Sequence, residues 1–274
     1  VTGATGNVGR EVAKALEARH RSIRRAGRGQ GDGVALDFTQ PSTFGPALQG
    51  VRGVFLMRPP AISKVKDTIN RFVDVAARVG VQQVVFLSVV GAGRNPLVPH
   101  HAIEKHLEGS GIAWTFLRAG FFAQNLGDAY RTDIRDHDRI YVPAGAGRVN
   151  FVDTRDLAEA AAIAFERPDL RNRALTLTGP GAVTFAEIAT MLTHELGRTI
   201  GYQPASVLGY LRHLRAGGLT IGHAAIQAIL HVGLRFGQGA TMDPTLGQLL
   251  GRPPRGVQTY IADHLERWAP GRPA

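Results

Sequence analysis

The chain opens with VTGATGNVGR, Val1–Arg10. Glycines recur at every third position, Gly3, Gly6 and Gly9, and the run passes into a helical period with Val8, Val12, Ala15 and Leu16 on one face. A strand end, a glycine turn and a helix start, in that order, hold a pyrophosphate. Bare backbone lets N–H groups approach the phosphates, and the helix end adds partial positive charge. In this reading Gly3 takes the tight turn, Gly6 permits the approach and Gly9 lets the helix pack on a sheet. The glycine string alone is weak evidence; its place at the head of a βαβ series gives it weight. Only Val1–Thr2 stands for the preceding strand, so a few residues, the initiator Met among them, are expected to come before it.

Working outward, apolar strand-like runs alternate with helical ones. Residues 22–27 and 34–36 read as short strands, 41–49 as a short helix, and VRGVFLM (51–57) as a strand stopped by Pro59-Pro60. A long helix is expected over 61–79, closed by Gly80. VQQVVFLSVV (81–90) is the strongest buried strand, followed by a helix over 98–107 and the strand IAWTFLR (112–118). Continuous apolar strands separated by helices predict an α/β fold of Rossmann type, a doubly wound parallel sheet covered on both faces. Residues 1–150 would form the nucleotide domain, with part of 151–180 completing the sheet. Residues 181–274 would form a smaller, mainly helical C-terminal substrate lobe. There, helices are expected at 185–196, within 205–250 and at 257–268, after a helix at 153–165 and a strand at 174–179; 201–204 reads as a further strand.

The second strand decides which dinucleotide is held. NAD binders carry an acid at its end for the ribose 2′-hydroxyl. Here the run is SIRRAGRG, with Arg24, Arg25 and Arg28. Guanidinium binds a 2′-phosphate in bidentate fashion and a carboxylate repels it, so NADP(H) is preferred over NAD(H), with Arg28 as first choice. Asp37-Phe38 falls where a side chain can flank the adenine, or where Asp37 caps the following helix.

The 274 residues, with a net charge of +10 and no cysteine, narrow the remaining classes. Disulfides, thiolate nucleophiles and Cys-ligated metals are excluded. No apolar run approaches the ~20 residues of a membrane span, and no leader precedes the turn, so no membrane partner and a cytoplasmic home are expected. The positive charge is almost all arginine and scattered, which disfavours nucleic acid. No His/Asp/Glu trio has metal-ligand spacing, so no metal is expected.

With these residues in hand, the chain resembles the NmrA-like branch of the atypical short-chain dehydrogenases/reductases, which holds quinone, triphenylmethane and azo-dye reductases as well as non-catalytic redox sensors. The likeness runs through VTGATGNVGR, ALDFTQPSTFGPALQGVRGVFLMRPP, VVFLSVVGA, HHAIEKHLEGSGIAWTFLRAGFFAQNL, FVDTRDLAEAAA and LTLTGPGAVTFAEIATMLTHELGRTIGY. It implies a cofactor path along Gly3, Thr5, Gly6, Asn7, Val8 and Gly9. The path continues past Arg28, Asp37-Phe38, Leu56-Met57-Arg58, Ser88-Val89 and Lys105 to Gly120-Phe121-Phe122. The wider superfamily's YxxxK pair is broken: Lys105 is present, but His101 stands where Tyr would be, and His100 matches a histidine that close relatives carry. The catalytic candidates are therefore Lys105, Ser88, His100 and His101. Either histidine could supply a proton or only frame the pocket. Phe122 and Asn125 are candidates for the substrate pocket, with Asn125 alternatively ordering its loop. The resemblance implies an NADPH-dependent reductase passing hydride to a small aromatic acceptor such as a quinone or dye, and leaves room for a homodimer. The rival is a non-catalytic NADP(H)-binding sensor acting through a protein partner. A nucleotide-sugar epimerase is weakened by the missing tyrosine.

Overall fold

In the computed structural model, which describes residues 1–29 and 33–269, Thr2 sits between two strands. Its N–H donates to the carbonyl of Phe55 (3.0 Å), while Ala26 N–H donates to Val1 (2.9 Å) and Thr2 bridges Ala26 in parallel. That single residue joins two sets of parallel strands. The order across the sheet is Val34–Ala35, Ala26–Gly27, Thr2, Gly53–Met57, Gln83–Val89, Ala113–Ala119, Arg173–Leu177. This is the doubly wound order expected of a dinucleotide fold. Every residue from Gln83 to Ser88 is buried, as a central strand covered on both faces requires.

The helices of this unit follow from small and apolar faces. Asn7–Glu17 buries Val8, Val12, Ala13 and Leu16. It packs on Thr154–Glu166, whose buried face is mostly alanine (Ala158, Ala160, Ala161, Ala162, Ala164), and such short side chains allow close approach. On the other side Phe38, Phe44 and Phe72 meet edge-on or tilted, with centroids 5.2–6.5 Å apart. Burying each ring contributes roughly 2–3 kcal/mol. Helix Thr245–Leu250 belongs to the same unit, and just after it Arg252 donates to Asp156 (2.8 Å) and Glu159 (2.7 Å).

The second unit comprises Gly120–Asp153, Thr178–Pro244 and the chain from Pro253 onward. It holds more strand than the sequence reading anticipates. Ala182–Thr184 pairs antiparallel with Arg148–Val152, which pairs parallel with Phe121–Phe122, and Gly201–Pro204 pairs parallel with Arg139–Val142. Helices Phe185–Leu196, Val207–Ala216 and Ile221–Leu234 agree with expectation. The first is fixed by a capping box between Thr184 and Glu187.

Three expected elements are shorter than read. The long helix begins only at Lys66, with a π-helical turn, Lys66–Asn70, before Arg71–Arg78, because the chain leaving Pro59-Pro60 runs without helix to Val65. The second strand contracts to Ala26–Gly27. The last helix is Val257–Ala262, followed by a 3-10 turn at Leu265–Trp268.

Candidate functional site

The glycine turn is built by contacts that side chains would break. Gly3 has φ +61°, and a Cβ there would lie 2.6 Å from Met57 Sδ. Gly6 N–H donates to Gly3 O (2.9 Å), and Gly6 caps the helix in extended conformation (φ −83°, ψ 171°). A Cβ on Gly9 would lie 2.6 Å from the Gly3 carbonyl carbon and closer still to its oxygen, so the helix rests directly on the turn. A Cβ on Gly6 would come no nearer than 3.4 Å to protein. Gly6 and Thr5 are exposed, Asn7 is half-buried and Val8 is buried. The N-cap, Gly6, offers no side chain to the helix start, and the first turn holds no acid. A helix start of this kind favours an anion through its N–H groups and partial positive charge.

The three arginines of the second strand separate by their partners. Arg24 donates to the carbonyl of Gln49 (2.7 Å) and Arg25 pairs with Glu17 (2.7 Å). Arg28 is exposed at the strand end and acts by charge on Asp37. The Asp37 carboxyl is held below its ordinary range, first because Thr39 N–H and hydroxyl donate to it (2.8 and 2.7 Å), then through Arg28. Asp37 therefore closes a local turn. The Phe38 ring is buried among Phe44 and Phe72, so it is core, and only the adjoining backbone and Asp37 face outward.

At the ends of the next strands, Leu56 is wholly buried, Met57 packs on Gly3, and Arg58 donates to the carbonyls of Pro59, Pro60 and Ile62 (3.2, 3.2 and 2.5 Å). Arg58 Nε and His100 Nδ1 are buried with no hydrogen-bond partner among the described residues. Burial, then the charge of Arg58, pushes His100 down to about 4. At neutral pH this favours the uncharged imidazole of His100. His101 Nδ1 donates to the carbonyl of Ala92 (2.8 Å), so that nitrogen carries the proton.

Ser88 belongs to a buried network that the sequence reading missed. Its hydroxyl donates to Glu104 (2.6 Å), and Glu104 also takes both Nε and Nη2 of Arg118 (3.0 and 2.7 Å). Ser88 and Arg118 are paired in register, and Glu104 has 2% of its side chain exposed. A Cβ on Gly93 would lie 2.7 Å from the Arg118 guanidinium carbon, so the loop after half-buried Val89 lies directly on that ion pair. Because Ser88 donates to Glu104, its oxygen is left as an acceptor. Lys105, one residue on, lies 58% exposed and pairs with Glu108 (2.7 Å).

In the second unit, Gly120, Phe121, Phe122 and Asn125 are all half-buried. The Phe121 ring meets Phe151 and His231 edge-on at 5.6 and 5.8 Å. The main-chain carbonyl of Asn125 accepts from Tyr130 N–H (3.0 Å). His231 was not foreseen. Its Nδ1 donates to the carbonyl of Gln227 (2.7 Å), so Nε2 accepts from the Tyr130 hydroxyl (2.6 Å). Burial lowers the His231 pKa and raises that of Tyr130.

The first unit also has a cavity of about 670 Å³, lined by Arg24, Arg52, Gly53 and Gln82 among others. It lies at the amino ends of the strands, the wrong end for an α/β ligand site. The residues at the carboxyl ends fit a dinucleotide: a glycine-capped helix start without an acid, a turn open at Gly6, an exposed Arg28 and two buried nitrogens without a partner among the described residues.

The comparisons with known proteins point the same way. The model of the NmrA-like family matches residues 1–249. Prestalk A differentiation protein A of Dictyostelium discoideum is 29% identical, covering 96% of this chain and 91% of the relative. The NAD(P)H azoreductase of Xenophilus azovorans is 33% identical over 74% of this chain and 75% of its own. The crystal structure of the NADPH-dependent quinone oxidoreductase of Escherichia coli, complexed with NADPH, superposes with a TM-score of 0.85 at 26% identity, covering 97% and 98% of the two chains.

Proposed function

The chain belongs to the NmrA-like family, and from that premise we propose that it is an NADPH-dependent reductase acting on a small aromatic acceptor such as a quinone or a dye. The carrying observation is the turn at Gly3–Gly9, jammed closed against protein at Gly9 and open at Gly6. A backbone of that form receives a diphosphate. Its relatives include an NAD(P)H azoreductase and a quinone oxidoreductase, which supports an NAD(P)-type cofactor and an oxidoreductase activity.

The residue assignments follow from the geometry above. The helix start at Asn7 holds the diphosphate. Arg28, exposed at the strand end and with no ion pair among the described residues, takes the 2′-phosphate and gives the preference for NADP(H). Ser88, held as an acceptor by Glu104, offers its oxygen to an amide N–H of the cofactor. Uncharged His100 offers its unpartnered nitrogen. When bound, the cofactor supplies hydride to the acceptor, and a proton from solvent completes the reduction. We assign Phe122 and Asn125 of the second unit to the acceptor side.

Titration with NADPH and NADH, followed by quinone turnover, tests the reading. Tight NADPH binding with steady oxidation is expected. Arg28→Glu should weaken NADPH by roughly a hundredfold, for the loss of charge-assisted hydrogen bonds and added repulsion, while NADH changes little. Equal weakening of both would remove Arg28 from the 2′-phosphate, and binding of neither nucleotide would overturn the function.

A further inference from the structure

The second unit contains a helical hairpin, Val207–Ala216 followed by Ile221–Leu234. The two helices pack together, with the Tyr210 and His231 rings 5.3 Å apart. Helix Ile221–Leu234 has no Asp, Glu, Lys or Arg, and it buries Ala224, Ala228 and His231 on one side. On the other it exposes Ile226, Ile229 and Leu230, whose spacing of three and four places them on one stripe; Ile229 is 71% exposed. Phe236, just beyond, is 79% exposed. A helix apolar all round is ordinarily buried, and exposed apolar surface of this kind marks a contact.

The charge around the stripe says what it meets. The partner helix presents Leu208, Arg212 and Arg215, all exposed, at i, i+4 and i+7. Arginine stems lie on apolar surface while their heads reach outward. Between Glu195 and Asp243 there is no acidic residue, and of the arginines in that span Arg212 and Arg215 are exposed, while Arg198 pairs with Asp138 and Arg235 donates to the carbonyls of Pro143 and Ala205; the acid that meets the partner helix, Asp133, is buried against His213. We propose that this hairpin docks the protein on an anionic lipid surface, the isoleucines and Phe236 entering the headgroup boundary and the arginines taking the phosphates. A second copy of the same face would set arginine against arginine on molecules each carrying +10, so charge disfavours it. Docking of this kind needs no span, and among the described residues no helix is long and apolar enough to cross a membrane. The inference uses none of the residues of the reductase reading and stands or falls apart from it.

Flotation of the full chain with vesicles tests it. At low ionic strength the protein should float with phosphatidylcholine–phosphatidylglycerol vesicles, remain behind with phosphatidylcholine alone, and be released as salt rises. The double variant Ile226→Asp, Ile229→Asp should lower partitioning about tenfold or more. Arg212→Gln with Arg215→Gln should lower it roughly thirtyfold, at about fivefold per charge lost. Circular dichroism and melting should match wild type in both, because the altered side chains are exposed. Three results would overturn the proposal: no flotation with anionic vesicles, equal flotation with both lipids, or flotation indifferent to both variants. A wild-type dimer that the isoleucine variant converts to monomer, seen by light scattering, would instead give the face to a second copy.

Discussion

Replacing Gly6 and Gly9 one at a time by alanine separates what the turn does for the fold from what it does for the ligand. At Gly9 the new methyl would stand 2.6 Å from a backbone carbonyl carbon. Ordinary contact between carbons is about 3.5 Å, so the helix start has to retreat by roughly 1 Å. Overpacking of that kind costs about 1–3 kcal/mol, and alanine's better helix propensity offsets about 1 of it. A net loss of up to about 2 kcal/mol lowers the melting temperature by several degrees, at roughly 2–4 °C per kcal/mol. At Gly6 the methyl clears protein by 3.4 Å and the backbone is in a region any residue adopts, so melting should not change. The methyl instead occupies the approach to the helix N–H groups. Losing two such bonds to a phosphate, at about 1.5–3 kcal/mol each, weakens NADPH at least a hundredfold. Calorimetric titration and thermal unfolding read the two effects. Normal NADPH affinity in Gly6→Ala, or a melting loss there equal to that of Gly9→Ala, would refute the reasoning.

Glu104→Gln should cost about 3 kcal/mol, the low end for breaking a buried ion pair because Arg118 keeps a quarter of its side chain in water; Arg118→Met in that background should recover part of it, and strict additivity of the two in unfolding experiments would disprove the coupling. His100, depressed in the folded state to about 4 and near 6.5 unfolded, binds fewer protons folded than unfolded between those values. Its contribution is whole above about pH 6.5 and falls away toward pH 4, so His100→Gln should show a shallower loss of stability on acidification, by a few kcal/mol at most, and an unchanged slope would count against its burial as an uncharged group. Tyr130→Phe leaves the His231 Nε2 acceptor buried and unmet, a loss of about 1–3 kcal/mol that a second change, His231→Phe, should partly restore in melting curves.

The glycine turn and the strand run 81–90 were legible because each carries a local constraint: backbone approach in one case, two-sided burial in the other. Arg28 could be named as the candidate for the 2′-phosphate, but its separation from Arg24 and Arg25 depended on Glu17 and Gln49, whose positions only the fold supplies. At Asp37-Phe38 the sequence left open which side chain faces outward, because a strand end says nothing of which way an aromatic turns, and the Phe38 ring joins Phe44 and Phe72. Glu104 and Arg118 did leave a trace, one acid on an apolar helix face and one base in an apolar strand. Pairing them needed the register that sets Ser88 beside Arg118. The strands Arg139–Val142 and Arg148–Val152 are short and interrupted by Pro143 and two glycines, a pattern indistinguishable from loop until partners are known.

The first unit is assembled from three separate stretches of chain, and its last one ends at Arg252, which clasps Asp156 and Glu159. During synthesis the nucleotide-binding half therefore cannot be completed while its amino-terminal portion alone has left the ribosome. The chain has to emerge at least as far as Arg252 first. Proteolytic or recombinant pieces cut near residue 150 would lack that clasp, together with the Ala-rich helix beneath Asn7–Glu17, and the two halves are a single unit of inheritance and of engineering.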